Sequence, residues 1–131
     1  MMETDYLLQR IESYTGAVIL ATNLRQQIDE AFLRRIHVVV EFPFPDPEQR
    51  ADLWRRALAR RRPDLEPEEI EQEFGVADMA DRHSLSGAAI ESIVESAELQ
   101  TLSKGGRYLD PEMLRAALAA ELRKLGRSSV L

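Results

Sequence analysis

A mostly α-helical chain is predicted, in which two short strands precede a four-helix unit. Three observations predict it. Two continuous apolar runs, Ala17-Val18-Ile19-Leu20-Ala21 and His37-Val38-Val39-Val40-Glu41-Phe42, end at Thr22-Asn23 and at Pro43. Such runs suit strands buried on both faces, as in parallel sheets. From Asp46 onward, apolar residues recur at helical spacing. Two of those stretches open with Asp-Pro, at Asp46-Pro47 and Asp110-Pro111, where Asp caps the helix and Pro takes its first position.

Taken in order, Thr4 or Asp5 would cap a first helix over residues 6–14, with Leu7, Leu8, Ile11 and Tyr14 on one face. Gly16 ends it and starts the first strand. Between the strands, residues 28–33 suffice for one or two helical turns, followed by Arg34-Arg35. Asp46, Pro47 and Gln49 form a capping-box variant that opens a helix to about Arg62. Leu53, Trp54, Ala57 and Leu58 make its buried stripe, while Arg55, Arg56 and Arg60 to Arg62 fall largely off it. Pro63 stops this helix. A short helix follows the acidic loop 64–69, with Ile70, Phe74, Ala77 and Ala80 on one face. Gly75 weakens its middle by roughly 1 kcal/mol relative to Ala, which favours two pieces. The stretch His83 to Ser86 caps a helix over residues 87–103 that buries Ile90, Ile93, Val94, Ala97 and Leu102. Gly105-Gly106 end it. The last helix, from Pro111, carries Leu114, Ala117, Leu118, Leu122 and Leu125, and Gly126 ends it. Residues 127–131 read as a frayed tail.

The 131 residues suffice for one domain, or for a small domain with an extra piece. The hydrophobic fraction of 44% is ordinary, and 31% charged is somewhat high. A net charge of −6 argues against a generic nucleic-acid binder. With no cysteine there is no disulfide framework and no thiolate metal site. His37 and His83 have no partner histidine at metal spacing, so no metal site is expected. No apolar run approaches the ~20 residues of a membrane span, and no signal peptide is visible. A cytoplasmic location is the expectation.

The order of residues Thr22-Asn23, Asp29, Ala31, Arg34-Arg35, second strand, Pro43-Phe44-Pro45-Asp46 resembles the second half of an AAA+ ATPase core. Leu85-Ser86-Gly87-Ala88-Ala89-Ile90-Glu91 resembles the S-G-A-D-[IL] motif of that family's helical lid, with Ala89 in place of the usual Asp. The four pieces stand in the family's order, and the resemblance spans roughly residues 6–125. It implies that residues 1–45 are the incomplete C-terminal part of the large α/β subdomain, a two-strand remnant of its parallel core. Residues 46–126 would be the four-helix lid, and 127–131 a tail. Neither G-x-x-x-x-G-K-[ST] nor an apolar run ending in paired acids occurs, so the phosphate loop and the Mg²⁺-holding strand are missing. The intact parent is expected to bind ATP and Mg²⁺, to assemble as a ring, a hexamer in the usual case, and to remodel a protein or complex. The fragment alone should be inactive.

The resemblance makes Asn23 the sensor 1 residue, a neutral amide able to orient water beside the γ-phosphate. The plain alternative is a strand-end turn residue. Arg34 and Arg35 become finger candidates that would reach the nucleotide of a neighbouring protomer, since a planar, permanently charged guanidinium matches a transferring phosphoryl group. The alternative is a surface salt bridge with Asp29 or Glu30, worth little. Ser86, Gly87 and Ala88 would place a helix N-terminus against adenine; the alternative is simply a helix cap. Ala88 matches the clade that lacks a sensor 2 arginine. Trp54 reads as core. Two strands without their sheet should pair abnormally: with each other, with a second copy of the chain in a strand-mediated dimer, or not at all. A competing reading makes the whole chain a non-enzymatic helical module for a partner protein, with neither nucleic acid nor membrane involved.

Overall fold

The computed structural model describes residues 2–23 and 25–127. Contacts divide the chain into two units, Met1–Phe42 and Pro43–Leu131.

In the first unit, α1 spans Met2–Ser13, and a single 3-10 turn covers Arg25–Gln27. The short α2, Glu30–Leu33, is capped by Asp29, whose carboxylate accepts from the Ala31 N–H at 3.0 Å. Leu8 and Ile11 of α1 are partly covered, whereas Leu7 and Tyr14 are exposed. Phe32 is the buried apolar side chain of this unit among the described residues.

The two-strand remnant expected at residues 17–21 and 37–42 does not form. Both runs lack strand structure among the described residues. They lie exposed, Ile19 at 93% and Phe42 at 90% of full accessibility. The reason is physical. A strand is stable only when its N–H and C=O groups meet a neighbouring strand, and these two segments meet none. Of the outcomes expected from sequence, strand pairing of the two runs with each other is not seen among the described residues.

The second unit is built from α3 (Pro47–Arg61), α4 (Pro67–Phe74), α5 (Val76–Arg82), α6 (Gly87–Ser103) and α7 (Pro111–Lys124). Each start has a local cause. The Asp46 carboxylate accepts from the Gln49 N–H at 2.8 Å and the Gln49 side chain accepts from the Asp46 N–H at 3.0 Å, a complete capping box. Asp110 caps α7 through the Met113 N–H at 2.8 Å. Helices α4 and α5 are two pieces because Gly75 sits at φ 63°, in the left-handed region that glycine enters without strain. Gly106 is required for another reason. Its N–H donates to the Thr101 carbonyl at 2.9 Å, and a Cβ there would stand 2.8 Å from Thr101 Cγ2.

Helix α3 lies against α4, α5 and α6, and α6 packs along α7. The shared core contains Trp54, Leu58, Val76, Leu85, Ile90, Ile93, Val94, Leu109, Leu114, Leu118 and Leu122. Four details depart from the expected pattern. Val76 and Met79 are buried and Ala77 is exposed, because the left-handed Gly75 resets the helical phase. Thr101, not Leu102, continues the buried stripe of α6, its hydroxyl donating to the Ala97 carbonyl at 2.9 Å. Leu125 lies beyond the end of α7 and is exposed. Arg62 belongs to the interior: it is 9% exposed, at the end of α3. Of the expected tail, residues 128–131 lie outside the described residues. Among the described residues, no helix is long and apolar enough to cross a membrane.

Candidate functional site

The candidate residues fall into two groups, one in each unit. In the first unit, Asn23 stands exposed in a bend directly after the first apolar run. Arg34 and Arg35 follow α2. Arg34 is exposed and meets Glu30 Oε1 at 3.5 Å, one helical turn back. That is the surface pair the sequence allowed, and such a pair in water contributes only a few tenths of a kcal/mol. Arg35 is more tied. Its Nε donates to the Glu12 carboxylate of α1, and its other arm donates to the Ala31 carbonyl at 2.8 Å. Arg35 therefore fastens α1 to α2, while Arg34 is held by one weak bond.

In the second unit, Ser86 caps α6, its hydroxyl accepting from the Ala89 N–H at 3.1 Å. Ser86 and Gly87 are partly covered and Ala88 is exposed. Nothing in the fold itself demands glycine at position 87. It has no left-handed φ, and a Cβ there would meet Leu53 Cδ1 at 3.6 Å, an ordinary contact. The first turn of any α-helix has N–H groups without intrahelical acceptors and carries the positive end of the helix dipole, and in α6 one of these groups, the Ala89 N–H, is taken by Ser86.

Charges hold the second unit together elsewhere. Arg62 donates to both Asp64 oxygens at 3.0 and 2.9 Å and to the Leu109 carbonyl at 2.9 Å. Glu73 stands 3.4 Å away, and the guanidinium lies over the rings of Phe74 and Tyr108. The bond to Asp64 raises the Arg62 pKa and lowers that of Asp64. Arg55, whose pKa is raised first by its bond to Glu71, ties α3 to α4. Glu91 receives Arg60 at 2.7 Å and Arg61 at 2.9 Å, tying α3 to α6. A groove of about 360 Å³ runs between α4, α5 and α7, lined by Phe74, Met79, His83, Leu114, Arg115 and Leu118 among others. His83 has its pKa lowered by burial and then by Arg82. Among the described residues, no three His, Cys, Asp or Glu side chains are grouped to hold a metal ion.

Sequence reasoning assigned no role to Arg50. It is 5% exposed, with Nε donating to the Ala80 carbonyl and a terminal nitrogen to the Pro45 carbonyl, each at 2.8 Å. Helical periodicity marks the position as inward-facing, but an arginine there reads as surface unless its distant partners are known.

No protein-family model matches the chain, and no solved structure matches it. Known proteins do. It is 34% identical over 106 residues to the ATPase-containing katanin p60 A-like 1 of Mus musculus, covering 80% of this chain and 20% of that protein. The Homo sapiens protein of the same name is 32% identical over 106 residues, with the same shares covered. Spastin of Danio rerio is 30% identical over 135 residues, covering 99% of this chain and 22% of that protein. The chain thus spans about a fifth of the length of the relatives it matches.

Proposed function

The chain belongs to the AAA+ ATPase family, as a C-terminal part of its ATPase module, and we propose that it serves a longer protein that binds and hydrolyses ATP in an oligomeric ring. One observation carries this reading: similarity to katanin-like ATPases and to spastin runs through 80 to 99% of the chain. That similarity comes with Asn23, Arg34-Arg35, Pro43-to-Asp46 and Ser86-Gly87-Ala88 in the family's order. In the parent, ATP and Mg²⁺ would be held by segments this sequence does not contain. Asn23 would orient the attacking water beside the γ-phosphate. Arg34 is the better finger of the two arginines, because it is exposed and its bond to Glu30 is easily given up. Ser86, Gly87 and Ala88 would face the base, the missing Cβ of Gly87 allowing a flat ring to approach. A ring, hexameric in the usual arrangement, a cytoplasmic location and the remodelling of a protein substrate belong to the same reading.

This chain alone should not hydrolyse ATP. Joined to a nucleotide-binding half, it should complete an active ring. There Arg34→Ala should lower turnover by about 10³-fold or more while ATP still binds, as for arginine fingers generally. Steady-state ATPase assays with nucleotide-binding titrations decide it. Turnover by the isolated chain, or an unchanged rate in Arg34→Ala, Arg35→Ala and Asn23→Ala alike, would overturn the reading.

A further inference from the structure

Arg50 is a buried guanidinium with no carboxylate partner among the described residues. Burying a charge is unfavourable unless its hydrogen bonds are made. Here they are made to two backbone carbonyls from separate parts of the second unit. The Pro45 carbonyl belongs to the segment by which the chain enters that unit, which begins at Pro43. The Ala80 carbonyl lies at the end of α5. The last backbone bond of that helix runs from the His83 N–H to the Met79 carbonyl, so Ala80 is the next acceptor in line and lies beyond it. A cation here satisfies an orphan carbonyl at a helix C-terminus. Three residues separate the helix end from the cap Ser86. One side chain therefore bolts the entering segment to the helix whose end leads into the α6 N-terminus.

We propose that Arg50 is a positioning residue: it joins the entering segment 43–45 to the end of α5, so that this segment and the turn leading to Ser86 move as one body. The significance of the turn rests on the functional reading above; the coupling itself does not. Packing alone would be served by an apolar side chain of similar size, but both carbonyls would then be left without their donor. Lysine keeps the charge but not the fork, so it serves one carbonyl at a time.

The test is residue-resolved amide hydrogen exchange on the whole chain, with Arg50→Ala, Arg50→Met and Arg50→Lys. In Arg50→Ala and Arg50→Met, exchange should rise by about tenfold or more at two places, the hydrogen-bonded amides of Asp46 and of His83. Core amides of α6 and α7, such as Val94 and Leu118, should not change. Arg50→Lys should restore protection at one of the two places and not at both. Uniform acceleration through α6 and α7 would reduce Arg50 to a general stabiliser and overturn the proposal. Unchanged exchange at both places, or full rescue by lysine, would also overturn it. Should Arg50→Ala fail to fold, Arg50→Lys carries the same comparison. No nucleotide enters the experiment, so its failure leaves the ATPase reading standing, and a ring without turnover leaves the coupling standing.

Discussion

Arg62 shows how much one side chain can hold. Its guanidinium meets Asp64, Glu73 and the Leu109 carbonyl and lies over two aromatic rings. Removing the guanidinium leaves the buried Leu109 carbonyl without its donor and strips packing from Phe74 and Tyr108, while Asp64 and Glu73 are exposed enough to turn to water. Arg62→Ala should therefore lower unfolding free energy by about 1–3 kcal/mol, read from the shift in denaturant midpoint. Arg62→Lys should recover only part of it, since lysine cannot serve Asp64 with two parallel bonds. His83 makes a pH-dependent contribution. Burial and the neighbouring Arg82 place its folded pKa below the ordinary 6.5. As pH falls, the unfolded chain takes up this proton first. The stability tied to neutral His83 is complete above about 6.5 and declines as pH drops through that value toward the folded pKa. Melting temperature should fall on moving from pH 7 to pH 5, and His83→Gln should flatten part of that slope. A variant with an unaltered slope would remove His83 from the account.

At the scale of the helices, glycine gives the sharpest contrast. Gly75 and Gly87 both adjoin helix starts, yet only Gly75 has a left-handed φ. Gly75→Ala should destabilise by about 1–2 kcal/mol, whereas Gly87→Ala should be neutral or stabilising by up to about 1 kcal/mol. Thermal denaturation of the two variants checks this. If Gly87→Ala also impaired nucleotide binding in the joined ring, stability could not be the reason. The starts of α3, α6 and α7 were legible in the sequence because a cap is a local bargain among Asp46, Gln49, Ser86 and Asp110 and amides two or three residues on. The buried stripes were legible for the same local reason. Ala77 and Leu102 were misplaced where the helical phase broke or where Thr101 could satisfy its own hydroxyl. Arg50 and Arg62 were unreadable because their acceptors, Ala80 and Leu109, lie 30 and 47 residues away. The strands were over-read, because an apolar run signals the capacity to pair and says nothing of whether a neighbour exists. Of the candidate site, the Ser86 cap and the Arg34–Glu30 pair were legible as geometry, while the nucleotide-facing roles rest on kinship.

The two units differ in kind. The second has a continuous core from Ala51 to Leu122; the first exposes Ile19, Val38, Val40 and Phe42. Exposed apolar segments of this sort promote association between copies. Residues 43–127 alone should keep a cooperative unfolding transition and remain monomeric, whereas the whole chain should self-associate as its concentration rises. Sedimentation velocity distinguishes them, and Ile19→Lys with Val39→Lys should return the whole chain toward monomer. A monomeric whole chain at every concentration would refute this. The unevenness between the units also has an optical consequence. Trp54 is the sole tryptophan, fully enclosed in the second unit, and its indole N–H has no partner among the described residues. Tyr6 and Tyr14 belong to the first unit. Indole emission, blue while the ring is dry and red once it is wet, is thus a private channel onto one half of the molecule. It would stay silent while the other half rearranges, pairs or docks.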